Sequence, residues 1–380
     1  MSKPTILLIT REFPPVGGGA GNVAYNLVVE LAAQGFNLEV LTMGFKGLEK
    51  AETLAGMPIH RLACGRRQID SSYFLEMLVF VFQSFLKALR LRKSRYDLVV
   101  SLSAVPDGLA ALGVANLLRC PYVVITAGSD VPGYDPRRMA VLHRLIAPFW
   151  RLIVSKAAAV TAPTQAFAAL IQKNLNGLPV QVIPNGISAQ RFSSAAQPRE
   201  GLLVCSRLIA RKNIDQAIQA LQFVQTPTTL DIVGDGPELS KLQELATHVA
   251  PHQVRFHGWL ANDSAELADL YQKRQFFLQV SEKESFGVTV LEAQAAGMVV
   301  IASRIPAFEE VLGQAALFTA DASAKSIAAT INEATSMPNA ALQALAEEGQ
   351  SQARQKYLWG NVAEQYGGLF DQVVNVANGR

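Results

Sequence analysis

Short, uninterrupted apolar runs alternate with amphipathic helical segments along the whole chain, and this alternation constrains the fold most strongly. Runs such as 5–10, 98–102 and 276–280 lack the apolar–polar alternation of a strand with one solvated face. We therefore expect strands that are covered on both faces. Strands and helices repeated in this order predict an α/β fold with parallel sheets and right-handed crossovers. The other predicted strands are 38–42, 122–126, 159–162, 180–183, 202–205, 229–233, 254–257, 299–302 and 316–318.

Length and one polar break predict two domains. The chain has 380 residues, half of them hydrophobic, which is enough for two cores. The stretch 193–200 is rich in Ser, Ala and Gln and interrupts the alternation, so it is predicted to be a hinge. The predicted domains are 1–190 and 191–358, followed by a C-terminal helix from about 359 to 380.

Cysteine spacing and charge indicate the compartment and the partners. Cys64, Cys120 and Cys205 form no metal-ligand or disulfide pattern, which favours a reducing, cytoplasmic compartment. Residues 1–195 carry 20 Lys and Arg against 11 Asp and Glu, whereas residues 196–380 carry 14 against 20. The basic half predicts an anionic partner. Its basic stretch lacks aromatic interleaving, so nucleic acid is not expected.

One segment of the basic half suggests a lipid surface as that partner. An apolar helix is predicted over 73–91, and the cations Arg92, Lys93 and Arg95 follow it. A basic amphipathic helix of this kind can lie in a lipid interface. The alternative is a core helix with a solvated basic end. Peripheral attachment to the inner face of a membrane, through the basic N-terminal domain, is therefore one prediction.

A glycine-rich loop at 17–21 connects the first predicted strand to the first helix. Gly18 and Gly19 allow backbone N–H groups to approach an anionic ligand at a helix N-terminus. The loop resembles part of a dinucleotide fingerprint, but that fingerprint needs an acidic residue at the end of the second strand. This chain has Thr42-Met43-Gly44 there, so NAD(P) is not expected.

Two cations and a glycine turn follow neighbouring predicted strands in the second half. Arg207 and Lys212 lie beyond the carboxyl end of a strand, where ligands bind in open α/β sheets. A guanidinium and an ammonium suit a diphosphate leaving group. The turn Gly234-Asp235-Gly236 predicts one wall of a nucleotide-base pocket, and the alternative is a plain tight turn.

The stretch 284–292 places two carboxylates eight residues apart, on a loop and in the next helix. The carboxylates of Glu284 and Glu292 are predicted to accept hydrogen bonds, one from sugar hydroxyls and the other from two ribose hydroxyls. The alternative is two solvated helix charges. The start of the helix adds the backbone groups of Phe286, Gly287 and Val288. The sequence has no Asp-x-Asp pair to hold a divalent cation. We therefore expect Arg207 and Lys212 to balance the diphosphate charge without a metal or other cofactor.

In combination these motifs resemble the retaining glycosyltransferases of family 4. The resemblance runs nearly end to end and implies the GT-B fold, with two Rossmann-like domains whose parallel sheets face an interdomain cleft. It also implies that the C-terminal helix packs back on the N-terminal domain. The matching segments are the loop 17–21, the stretch 182–187 with Asn185, the cations Arg207 and Lys212, the turn 233–238, and the stretch 284–297.

The resemblance also implies an activity and a role for each matching residue. Arg207 and Lys212 would hold the diphosphate of a nucleotide-sugar donor, Glu284 its sugar and Glu292 its ribose. Arg207, Lys212 and Glu284 are the implied catalytic residues. The N-terminal domain would bind a saccharide or lipid-linked acceptor, and the implied pathways build cell-surface polysaccharide or glycolipid. Transfer would proceed with retention.

Two departures from the family pattern leave other functions open. Many members have a histidine soon after the fourth strand, whereas this chain has Gly128-Ser129-Asp130-Val131-Pro132. Asp130 is predicted to supply a polar contact there, and the alternative is a turn aspartate. The usual glycine pair before Glu310 is also missing. A sugar-nucleotide 2-epimerase and a non-catalytic nucleotide-sugar binder are the alternative functions.

Overall fold

A computed structural model describes residues 3–69, 71–91, 96–188 and 199–379, without the side chains of 136–142. The chain forms two compact units, Met1–Gly186 with Trp359–Arg380, and Ile187–Leu358. The predicted hinge at 193–200 lies largely outside the described residues, as do Arg92, Lys93 and Arg95.

Strands form one sheet in each unit. Those of the first unit are β1 Thr5–Ile9, β2 Asn37–Met43, β3 Ala51–Leu54, β4 Met57–Leu62, β5 Leu98–Ser101, β6 Tyr122–Ile125, β7 Ala159–Ala162 and β8 Val180–Val182. Those of the second unit are β9 Leu202–Cys205, β10 Leu230–Val233, β11 Val254–Gly258, β12 Phe276–Gln279, β13 Val299–Ser303 and β14 Leu317–Thr319.

Helices connect most of these strands. Those of the first unit before the boundary are α1 Gly19–Ala33, α2 Phe74–Leu91, α3 Leu109–Leu118, α4 Pro136–Lys156 and α5 Gln165–Asn174. The second unit contains α6 Ile214–Ala220, α7 Leu239–Val249, α8 Ala265–Lys273, α9 Val288–Ala295, α10 Pro306–Leu312, α11 Ala324–Ser336 and α12 Asn339–Lys356. The chain then returns to the first unit with α13 Trp359–Ala377.

The strand order has the doubly wound form. The first sheet runs β3-β4-β2-β1-β5-β6-β7-β8 and the second β11-β10-β9-β12-β13-β14. All described pairs are parallel except β3 with β4, which are antiparallel. The predicted α/β fold with parallel sheets is therefore confirmed. In each sheet the strand that comes first in the sequence, β1 or β9, lies in the interior. The next strands add on one side of it, and the remaining strands add on the other side.

Side chains of one strand enter two separate cores. In β1, Leu7 and Ile9 lie in one core of the first unit, whereas Ile6 and Leu8 lie in the other. Helices α2 to α5 cover one face of the sheet, and α1 and α13 cover the other. Both faces of the sheet are therefore shielded from solvent, which explains why the sequences of its central strands are unbroken apolar runs. The second unit repeats the arrangement, with Leu202 and Leu203 in different cores.

The hairpin of β3 and β4 was not predicted. Its outer strand is short and polar, and Ala51, Glu52 and Thr53 are exposed. An edge strand with a solvated face lacks the apolar run used to recognise the other strands. Within the described part of the chain, no helix combines the length and apolarity needed to cross a bilayer.

Candidate active site

The central strands β9, β10 and β12 of the second unit carry the predicted cations, glycines and carboxylates. Strand β9 lies between β10 and β12, and all three are parallel. Their carboxyl ends therefore meet at one edge of the sheet. The chain leaves β9 towards β10 and later returns to its other side with β12. Such a reversal of direction opens a crevice at the strand ends, which is the usual ligand position in this kind of sheet.

Lys212 and Glu284 form an ion pair at this edge, although 72 residues separate them in the sequence. Lys212 ends the short helical turn Ala210–Lys212 after β9, and Glu284 lies in the loop after β12. The ammonium Nζ donates to Oε1 of Glu284, and the two side chains are only 13% and 12% exposed. The fold therefore brings together two of the three predicted catalytic residues.

Gln279 lies beside this ion pair. It is the last residue of β12 and is buried. Its Nε2 donates to Ser281 Oγ at 2.8 Å and lies 3.4 Å from Glu284 Oε1. Sequence analysis missed this residue because its side chain interrupts an apolar run only once.

The surroundings of Glu284 favour its ionised form. Burial by itself raises the pKa of a carboxyl group. Here the charge and hydrogen bond of Lys212, a hydrogen bond from Ser281 and the charge of Arg211 together outweigh burial, so the pKa of Glu284 lies below its usual value. The site thus holds a fixed negative charge directly beside a fixed positive one.

The lowered pKa predicts how stability depends on pH. A carboxylate with a depressed folded-state pKa stabilises the protein above its unfolded-state pKa, and this contribution is lost as the pH falls through the folded-state value. We therefore expect Glu284→Gln to lower the unfolding temperature at neutral pH. The difference from the wild type should begin to close near the usual glutamate pKa, about 4.3, and should disappear below the lower folded-state pKa.

Thermal unfolding from neutral to acidic pH measures this effect. Glu309→Gln is the matched control, because Glu309 forms an exposed ion pair with Arg304 in the same unit, and such pairs contribute little. A difference between Glu284→Gln and the wild type that stays constant with pH would contradict the lowered pKa.

The glycine turn after β10 holds the loop that carries Arg207. Ser206 N donates to Val233 O at 3.0 Å, and Leu208 N donates to Asp235 O at 2.9 Å. A Cβ atom on Gly234, whose φ is +133°, would lie 1.9 Å from Ser206 O. The two loops can approach this closely only with glycine there. Arg207 stands exposed between the two anchored residues.

Asp235 and Gly236 complete the turn. The Asp235 side chain is exposed, and its Oδ1 accepts a hydrogen bond of 2.6 Å from Gly236 N. A Cβ atom on Gly236 would lie 2.3 Å from Leu208 O, so this glycine also permits close packing. The turn is therefore a structural clamp on the Arg207 loop, and its contact with a base remains a prediction.

The segment from Phe286 to Glu292 turns from loop into helix α9. Phe286 is buried and packs edge-on against Tyr357 at 5.8 Å between ring centroids. Gly287 has φ +99° and directly precedes Val288, the first helical residue. Glu292 is half-buried inside α9, and Tyr271 Oη lies 3.4 Å from its Oε2. A buried tyrosine therefore orients this carboxylate.

The other predicted site residues belong to the first unit. Gly18 and Gly19 are exposed at the start of α1, and Gly18 N donates to Glu12 Oε2 at 3.2 Å. One N–H group predicted to face a ligand is thus held by a side chain in this structure. Asn185 is half-buried in the segment that follows β8.

Asp130 has the geometry of a turn aspartate. It is 5% exposed. Its Oδ2 accepts from Ala104 N at 2.8 Å, and its Oδ1 accepts from Gly128 N at 2.7 Å and Ala127 N at 3.2 Å. These bonds tie the loop after β6 to the loop after β5. A contact of Asp130 with substrate remains a prediction.

A buried cluster at the carboxyl ends of β1 and β5 was missed by sequence analysis. Arg11 Nη1 donates to Ser103 Oγ at 2.9 Å and lies 3.8 Å from Asp107 Oδ2. Burial raises the pKa of Asp107 to about 7, although the Arg11 charge opposes this. Arg11 could have been recognised as a candidate, since it follows an apolar run just as Arg207 does. Asp107 lies in no recognisable motif.

Over the ranges that the structure describes, no group of three or more His, Cys, Asp or Glu side chains is arranged to hold a metal ion.

Both units of the chain match known protein families. Residues 187–352 match the family described as glycosyl transferases group 1, and residues 18–186 match the glycosyl transferase 4-like domain. The chain belongs to glycosyltransferase family 4. The resemblance seen in the sequence is therefore confirmed, and the protein is a glycosyltransferase that acts on sugar nucleotides. These matches do not support the epimerase alternative.

Relatives of this glycosyltransferase make different products. Glycogen synthase of Mycobacterium tuberculosis is 28% identical over 392 aligned positions, which cover 94% of this chain and 92% of the relative. Alpha-monoglucosyldiacylglycerol synthase of Streptococcus pneumoniae is 25% identical, over 79% of this chain and 71% of the relative. The solved structure of sucrose-phosphate synthase from Thermosynechococcus elongatus superposes with a TM-score of 0.86, at 21% identity, covering 98% and 100% of the two chains. The last match shows the GT-B fold.

Proposed function

We propose that this glycosyltransferase transfers a sugar from a nucleoside diphosphate to a saccharide or lipid-linked acceptor with retention of configuration and without a metal. The second unit binds the donor and the first unit binds the acceptor. The observation that supports this most strongly is the Lys212–Glu284 ion pair at the switch point of the second sheet.

The charges of the site suit a nucleotide sugar. The ammonium of Lys212 has three N–H donors, so it can keep Glu284 while it donates to a phosphate oxygen. Arg207 adds a guanidinium fork, which matches the geometry of phosphate. The second oxygen of Glu284 accepts from a sugar hydroxyl, and Glu292, oriented by Tyr271, accepts from the ribose. Lys212 and Arg207 thus neutralise the charge of the diphosphate, which a metal ion neutralises in other transferases.

The reaction then needs no protein nucleophile. The acceptor oxygen forms a bond to the anomeric carbon while the bond from that carbon to the β-phosphate oxygen breaks. The departing diphosphate takes the bonding electrons, and Lys212 and Arg207 stabilise the charge that develops on it. Its oxygen accepts the acceptor proton on the same face of the sugar, so the configuration is retained.

The acceptor class and the location of the enzyme follow from the relatives and the charge distribution. One relative makes a glycolipid and another a polysaccharide. We propose that this enzyme works in cell-surface polysaccharide or glycolipid synthesis. It would act in the cytoplasm, at the inner face of the membrane, where the basic first unit meets anionic lipid.

Donor binding tests the proposal directly. UDP-, GDP- and ADP-sugars are screened by thermal shift, and one base should raise the unfolding temperature, because a ligand at about 100 times its Kd adds about 2.7 kcal/mol of stability. The shift should persist in EDTA and shrink in Lys212→Met. With that donor and an oligosaccharide or glycolipid acceptor, NMR of the product should show the anomeric configuration of the donor.

Several outcomes would contradict separate parts of the proposal. Lack of a shift with every sugar nucleotide would contradict donor binding. A shift that EDTA abolishes would contradict metal independence, and an inverted product would contradict retention. Donor binding without turnover or donor hydrolysis would favour the non-catalytic binder.

A further inference from the structure

Helix α2 of the first unit leaves a continuous apolar face uncovered. Leu75, Phe82 and Leu89 recur every seven residues and are 72%, 60% and 44% exposed. Leu78 and Leu86 fill the positions between them and are also exposed. The opposite side of α2 is the one that enters the core, through Phe80 and Ala88. The exposed stripe is therefore additional to the face that the fold requires.

Helix α4 has a second stripe of the same kind. Leu145, Phe149 and Leu152 follow one another at helical spacing and are all exposed, Phe149 to 59%. On its other side, Trp150 and Ile153 are fully buried. A monomeric soluble protein rarely exposes apolar side chains in such numbers in one region without a partner.

The two stripes lie on the same face of the first unit. Helices α2 and α4 both contact α3, and all three bury side chains in the same core. Their outer sides therefore point away from the same face of the sheet, on either flank of α3. We call the exposed residues of α2 and α4 together the apolar platform.

The exposed charged side chains that the structure describes on α2 and α4 are all positive. Arg90 at the end of α2, and Arg144, Arg151 and Lys156 on α4, are exposed. The sequence 136–156 contains no Asp or Glu. The acid of α2, Glu76, is buried, and its two oxygens accept backbone N–H groups of Arg67 and Tyr73 at 3.1 and 2.8 Å.

We propose that the apolar platform docks on the surface of a bilayer that contains anionic phospholipid. The apolar side chains enter the boundary between headgroups and acyl chains, and the cations remain among the lipid phosphates. This deepens the proposed function, on which it rests, by naming the surface that meets the lipid. A second copy of the chain fits less well, because face-to-face pairing would bring these cations together across the contact.

Vesicle binding tests the platform separately from catalysis. The full chain is sedimented with phosphatidylcholine vesicles that contain or lack phosphatidylglycerol, at low and high salt. We expect binding to the anionic vesicles that weakens as salt rises. The double variant Phe82→Glu/Phe149→Glu should bind at least about a hundredfold less, since each of the two side chains loses an apolar burial worth more than about a factor of ten.

The control is Val376→Glu, which places the same charge at a 71% exposed apolar residue of α13, on the other face of the first sheet. It should bind vesicles as the wild type does. The thermal shift with the sugar-nucleotide donor should be unchanged in all variants, because the donor residues lie in the second unit. A wild type that binds anionic vesicles but shows no thermal shift with any sugar nucleotide would refute the proposed function without refuting the platform proposal.

Three results would overturn the platform proposal. The first is equal binding to neutral and anionic vesicles at low salt, or binding to neither. The second is wild-type binding by Phe82→Glu/Phe149→Glu. The third is a wild-type dimer in sedimentation that this double variant dissociates, which would assign the apolar platform to a second copy of the chain.

Discussion

Replacing Lys212 by Met should lower kcat about 10²–10³-fold, the usual loss when one preorganised donor to a developing negative charge is removed. Methionine keeps most of the side-chain volume and removes the ammonium. The departing diphosphate then develops its charge without this cation, and Glu284 loses its ion pair. Steady-state kinetics with saturating donor measure the effect.

A second variant separates catalysis from stability. Lys212→Met alone should also lower the unfolding temperature, because it leaves the Glu284 carboxylate buried without its partner. The double variant Lys212→Met/Glu284→Gln should largely regain the unfolding temperature that Lys212→Met loses, whereas its kcat should stay low. The matched control is Lys241→Met, on a 76% exposed side chain of α7, which should leave both unchanged. Near-wild-type turnover in Lys212→Met would refute the catalytic role.

Replacing Gly234 by Ala should destabilise the second unit by about 3–5 kcal/mol, through backbone strain at positive φ together with overpacking. The added methyl group would lie 1.9 Å from Ser206 O, so the turn and the Arg207 loop must separate. Urea unfolding measures the loss. Donor binding should weaken as well, because the loop that presents Arg207 moves with Ser206.

Gly258→Ala tests whether the clash is the cause. Gly258 also has positive φ, +67°, but an added Cβ atom there meets no heavy atom within 4 Å. We expect it to cost only about 1 kcal/mol, the usual penalty for a left-handed non-glycine residue. If both variants lose the same free energy of unfolding, backbone strain alone explains the loss and the close approach to Ser206 contributes nothing.

Much of the fold could be read from the sequence because the central strands of both sheets are buried on both faces. Every predicted strand appears in the structure, since an unbroken apolar run has few alternatives between two layers of helices. The β3–β4 hairpin escaped prediction because its outer strand faces solvent and gains little from apolar residues. Helix α2 was recognisable as apolar, but its outward face depended on which neighbours cover it.

The sequence by itself determined the alternation of strands and helices, the family, and the chemical types at the strand ends, because these depend on local pattern. Only the tertiary structure decided that Lys212 contacts Glu284, that Gly234 clamps the Arg207 loop, and that Asp130 accepts backbone N–H groups from the loops after β5 and β6. Each of these contacts joins loops after different strands. The order of strands in the sheet sets which loops meet, and that order results from the packing of the whole unit.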